Sequence, residues 1–185
     1  MNKSKDLTAA QLAELLSQLG ACSEAREWAV NRTLKQAWAE CERGDWMLWL
    51  AARVGVDRRA IVCAACDCAE TAWEHCADGA TLTAAILAVH IAREWASGHE
   101  EIETVYAVAA VDAVYAAYAA ADAADAAAYA VYAAAADAAD AAAYAVYAAD
   151  AAADAASSAS ARRASLHASA KLVRARIPYS AINPK

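Results

Sequence analysis

From residue 116 to 156 the chain is 28 alanines and 13 other residues, and apart from Val131 and Val146 those 13 are all Tyr or Asp. They are Tyr118, Asp122, Asp125, Tyr129, Tyr132, Asp137, Asp140, Tyr144, Tyr147, Asp150 and Asp154, and nearly all their steps are three or four residues. At roughly 100° per residue they collect on one half of a helical wheel, and the other half is almost pure alanine. Alanine fixes into a helix with no side-chain entropy loss. No Gly or Pro interrupts the chain between Gly98 and Pro178. The expectation is a long helix or a helical hairpin; a continuous helix over 101–176 would span ~110 Å. The block DAADAAAYAVY occurs at 122–132 and again at 137–147, a repeat of 15 residues. Fifteen residues over four turns exceeds the ~3.6 of a straight helix, so a supercoil along this stripe tends right-handed.

The two faces of this rod differ. Tyr118 and Asp122, Asp125 and Tyr129, and Asp140 and Tyr144 are i,i+4 pairs, spaced for contact along one wall. The alanine face lets another backbone approach closely. Either the alanine face is the buried one, or the Tyr side is buried with Asp at its margins. The aspartates oppose the second arrangement, because unpaired charge resists burial. They also exclude a transmembrane span, since no 18-residue window of the tract is free of Asp.

The net charge of −7 hides a segregation. Residues 1–100 carry 14 acidic and 10 basic side chains, 101–161 carry nine acidic and none basic, and 162–185 carry six basic and none acidic. The basic end suits a helix C-terminus, or it meets an acidic wall on this chain or a neighbour. Six cations beside an acidic rod make a poor phosphate track, so nucleic acid is not an expected partner. The aspartates are also too sparse to mimic duplex DNA.

Three regions follow: a Trp-rich helical domain at 1–99, an acidic Ala/Tyr/Asp-rich rod at 100–161, and a basic C-terminal helix and tail at 162–185. The fold class is all-α. In the first region helix punctuation is legible. Thr8 and Gln11 read as a capping box before LAELLSQL, closed by Gly20. Ser23 opens a helix that ends near Gly44, with or without a break around Asn31–Thr33. Asp45 is expected to cap WMLWLAARV, closed by Gly55. Asp57 is expected to cap a helix reaching to near Gly79, and a last helix runs from about Thr81 to Ser97.

Six cysteines raise the question of metal. Cys63, Cys66 and Cys68 lie mid-helix in CAACDC, and no second CxxC or HxxxH completes a zinc site. They read as small apolar core residues. His90 and Glu94 stand at i,i+4, but a di-iron bundle needs two inward Glu-x-x-His motifs. No cofactor is expected. No nucleophile triad, Gly-rich phosphate loop or HExxH occurs, so an enzyme is not expected. Arg58, Arg59 and Arg93 are expected to be solvated or paired with carboxylates. The polar N-terminus MNKSKDLTAA shows no signal peptide, and free thiols suit a reducing cytoplasm.

The segments ACSEAREWA (21–29), AWAECERGDWMLWLAARVG (37–55), DRRAIVCAACDCAE (57–70) and AILAVHIAREWASG (85–98), then an alanine-rich tract and a basic LVRARIP (172–178), resemble in order a family of immunity proteins. These proteins are associated with bacterial polymorphic toxin systems and also occur among phage proteins. GDWMLWLAAR at 44–53 is the most specific piece; the alanine tract by itself matches anything. The resemblance implies a small cytoplasmic protein that neutralises a cognate toxin, and it carries over no site residues. The tract here is unusually regular.

The candidate partner-binding surface is the wall formed by Tyr118, Asp122, Asp125, Tyr129, Tyr132, Asp137, Asp140, Tyr144 and Tyr147. Tyr suits interface contact and Asp suits steering toward a basic partner. The alternative function is self-assembly into a dimer, bundle or filament through the alanine faces. A third is ice binding, by analogy with alanine-rich antifreeze helices, against which stand the charged Asp and the absence of periodic Thr.

Overall fold

The computed structural model describes residues 6–71, 73, 79–98 and 159–183. The alanine-rich tract, and with it the whole Tyr/Asp wall from Tyr118 to Tyr147, lies outside the described residues. Among those described, every regular element is a helix: α1 (Ala9–Gln18), α2 (Ser23–Ala29), α3 (Leu34–Glu40), α4 (Gly44–Arg53), α5 (Arg58–Glu70), α6 (Gly79–Ala96), α7 (Ala159–Arg176) and α8 (Tyr179–Ile182). The all-α class read from the sequence is what the described residues adopt. No helix among the described residues is long and apolar enough to cross a membrane.

The expected start signals mostly operate. The Thr8 hydroxyl accepts from the Gln11 N–H at 3.4 Å, and Gln11 Oε1 accepts from the Thr8 N–H at 3.0 Å, so two orphan donors of α1 are satisfied reciprocally. Gly20 then leaves the helix at φ +76°, a left-handed conformation that costs glycine little. Asp57 accepts from the Ala60 N–H and starts α5. The break around Asn31–Thr33 is real. Asn31 sits at φ +64°, and Thr33 with Gln36 forms a second capping box that starts α3.

Three boundaries differ from expectation. Gly44 does not end a helix; it is the first residue of α4. Asp45 does not cap α4, because Arg43 takes its carboxylate in a two-point ion pair, with Nε–Oδ1 at 2.9 Å. From the first turn, Asp45 still faces the positive end of the helix. The α5 helix ends at Glu70 rather than running to Gly79, and Gly79 opens α6.

Among the described helices α5 is central, packing against α4, α6 and α7. It has no single apolar stripe: Ile61, Val62, Ala64, Ala65, Cys66, Cys68 and Ala69 are all buried. Small residues over most of its circumference let three helices close on it. On α7 the buried positions Leu166, Ser169, Ala170 and Val173 follow the i, i+3, i+4 rule, and Ile177 just past its end is buried as well. The basic C-terminal helix therefore shares one core with the first hundred residues. Two of its arginines, Arg174 and Arg176, face carbonyls and a carboxylate of that region. Arg176 donates to both oxygens of Asp67 at 2.9 and 3.0 Å, and Arg93 donates to Asp67 and Glu70 at 2.7 Å. Asp67 thus joins α5, α6 and α7. Arg174 donates to the Cys41 carbonyl at 2.6 Å and lies 3.4 Å from the Trp38 carbonyl, satisfying the end of α3. The Tyr179 hydroxyl donates to Asp6 at 2.5 Å, drawing α8 onto the N-terminal segment.

Candidate functional site: a tryptophan-lined cavity

Six cysteines in one chain invite chemistry. Cys66 and Cys68 are fully buried on α5, and burial pushes both thiols from an ordinary 9.0 up to about 12. Cys41 is buried and raised for the same reason. Raised thiols are poor nucleophiles and poor metal ligands, since both roles need the thiolate. Cys68 Sγ instead lies 4.0 Å from the Ser169 carbonyl, against α7. Among the described residues all cysteines are free, and no group of three or more His, Cys, Asp and Glu converges as a metal site. His90 is exposed on α6. Arg93 is paired, as described, while Arg58 and Arg59 stack on Trp95 at 4.3 and 5.9 Å from the ring centre.

A concave feature of the described residues lies elsewhere. A half-open cavity of about 270 Å³ sits between α1, α2, α3 and α4. Its walls include Trp28, Trp38, Trp46, Trp49, Leu12 and Leu16. Each helix reaches it for a local reason. Leu12 and Leu16 are i,i+4 on α1, and both are buried. Trp46 and Trp49 are i,i+3 on α4, so their rings stand on the same side of that helix. Trp28 arrives from the end of α2 and meets Trp46 edge to face, with ring centres 6.2 Å apart. Trp38, on α3, is 5% exposed and completes the wall.

The charges around this cavity are neutralised or held outside it. Asp45 is the one charged residue in the lining, and Arg43 binds both of its oxygens. Arg43 also stacks on Trp46 at 4.5 Å, Arg32 on Trp28 at 4.4 Å, and Arg53 on Trp49 at 5.8 Å. Arg32 in turn pairs with Glu40 at 3.1 Å and donates to the Trp28 carbonyl. Three of the four lining tryptophans are therefore clamped from outside by guanidinium groups, which hold ring orientation.

The residues read as the partner-binding wall all lie outside the described residues. The cavity itself was not anticipated as a site. Four tryptophans within 28–49 were visible, but a Trp-rich helical stretch reads as core. A separating signal exists only at Trp49, where Arg53 follows four residues later on the same helix and stacks on the ring; Arg32 reaches Trp28 from the turn after α2, which spacing alone does not reveal. No family model matches the chain, and neither does any curated protein or solved structure.

Proposed function

We propose that this chain is a non-enzymatic binding protein of the immunity type, which neutralises a cognate toxin through a helical surface. The observation that carries the reading is convergence. Trp28, Trp38, Trp46 and Trp49 belong to the segments by which the chain resembles immunity proteins, and all four line one cavity. The most specific of those segments, 44–53, is α4 itself. Trp and Arg are the residues most enriched at interface hot spots, and here they are stacked together. The Tyr/Asp wall over 118–147 is the second contact in this proposal, supplying steering toward a basic toxin surface. The chain acts in the cytoplasm on this reading.

The test is protection. The genes flanking this one are cloned, any that is toxic to cells is expressed with and without the chain, and cell survival is counted. The wild-type chain restores survival, while Trp28→Ala/Trp49→Ala and Asp122→Asn/Asp125→Asn/Asp137→Asn/Asp140→Asn lose protection in part. No protection by the wild-type chain rejects the reading. The second reading is self-assembly, favoured by the one-sided alanine pattern of 116–156. It predicts a native mass that is a multiple of 19.3 kDa and a loss of that multiple on replacing Ala127, Ala134 and Ala142 by Glu.

A further inference from the structure

We infer that the cavity between α1 and α4 is a ligand site for one neutral, planar, apolar small molecule of bicyclic aromatic size. The inference goes beyond the toxin reading and does not depend on it. Size is the first argument. An apolar cavity of about 150 Å³ stays dry and takes up benzene. This cavity is about 270 Å³, so it has room for a second fused ring. Lining is the second argument. The walls are indole rings, leucines, a methionine and alanines, which reward apolar contact and offer edge-to-face partners to a flat ring.

Charge is the third argument, and it narrows the class. Asp45 is 5% exposed and already satisfied by two bonds from Arg43. A cationic ligand would have to displace Arg43 to reach it. An anionic ligand would bring an unpaired charge against the indole rings, because the nearby guanidiniums are spent on Glu40, Asp45 and the outer ring faces. Rigidity is the fourth argument. The arginine stacks hold Trp28, Trp46 and Trp49 from outside, so the rings are not free to collapse into the space. A preformed site of this kind loses little to ordering when it binds.

The experiment uses the full chain and 2-naphthol as the probe, with 2-naphthoate as its charged counterpart. Titration is followed by the indole N–H resonances of the tryptophans. The expected result is saturable 1:1 binding with a Kd of roughly 10–300 µM for a ligand of this size. Resonances of Trp28, Trp38, Trp46 and Trp49 shift, while that of Trp95, on α6 and outside the cavity, stays in place. The charged counterpart binds at least tenfold more weakly. Ala25→Phe, which projects a ring into the cavity from α2, weakens 2-naphthol at least tenfold while the chain keeps its helical circular dichroism. Should Ala25→Phe fail to fold, Ala25→Leu fills the space with less bulk and is read the same way. Absence of saturation, shifts at Trp95 equal to those at the four lining rings, or equal binding by a folded filled variant overturns the site. Equal or tighter binding of 2-naphthoate overturns the neutral class. No toxin protection by the wild-type chain, with 2-naphthol binding intact, rejects the proposed function alone.

Discussion

The two sides of α4 solve the packing problem in opposite ways. Toward α7 the helix presents Gly44, and the backbones come so close that a Cβ there would lie 2.5 Å from Ser169 Cβ and 2.9 Å from the Ala170 nitrogen. Toward α1–α3 the same helix presents Trp46 and Trp49, and a cavity of about 270 Å³ remains. Small residues permit contact of main chains and leave nothing over. Large flat rings, each held by an arginine, cannot interdigitate as leucines do and leave space between them. One side is therefore closed and serves stability; the other is open and can serve binding.

The largest expected effect tests the closed side. Glycine inside a helix normally costs ~0.5–1 kcal/mol relative to alanine. At Gly44 the sign reverses: Gly44→Ala should destabilise by ~2–3 kcal/mol, because the atoms it meets include main chain that cannot swing away. A lower midpoint of urea unfolding with an unchanged slope would show this, and adding Ser169→Gly should recover part of the loss. A neutral or stabilising Gly44→Ala would mean that α4 and α7 do not approach so closely.

An intermediate effect comes from the buried thiols of α5, Cys68 against Ser169 of α7 and Cys66 against Val89 of α6. Their pKa values are raised on folding, so the folded state holds protons that the unfolded chain releases. That contribution is complete below the ordinary thiol value of 9.0 and is lost as pH rises toward about 12. Stability should fall across this window, and Cys66→Ala/Cys68→Ala should flatten the fall despite a lower stability at neutral pH. The open side supplies the contrast: Cys22 is exposed at the cavity, so iodoacetamide should label it in the native protein while Cys66 and Cys68 stay protected. Equal labelling of all three would break the comparison.

The smallest effect tests the open side. Ala25→Leu adds three carbons to a position that borders empty space. The melting temperature should change by no more than about 2 °C, whereas the same bulk in a packed core typically costs ~1–3 kcal/mol. A large loss would show that the cavity is already filled by neighbouring side chains.

Local signals were legible and tertiary ones were not. The Thr8–Gln11 capping box, the Gly20 stop and the Asp57 cap are written in residues that act on their immediate neighbours. Asp45 carried an identical capping signature and was claimed instead by Arg43, a competition between two partners that spacing cannot rank. Gly44 looked like a helix stop and is a crossing point, because its reason lies on α7, more than a hundred residues away in sequence. The Trp residues were conspicuous but ambiguous: the same ring can fill a core or wall a cavity.

The sequence by itself determined the helical class, most of the helix starts and the core placement of Cys66 and Cys68. These follow from backbone propensity, capping and periodicity, which are local. Only the tertiary structure decided that the basic C-terminal helix closes on α4 and α5 through Gly44 and Asp67, and that four tryptophans from three helices surround a space. Both depend on which helix faces meet and how nearly their shapes match, a property of pairs of distant segments that no single segment encodes.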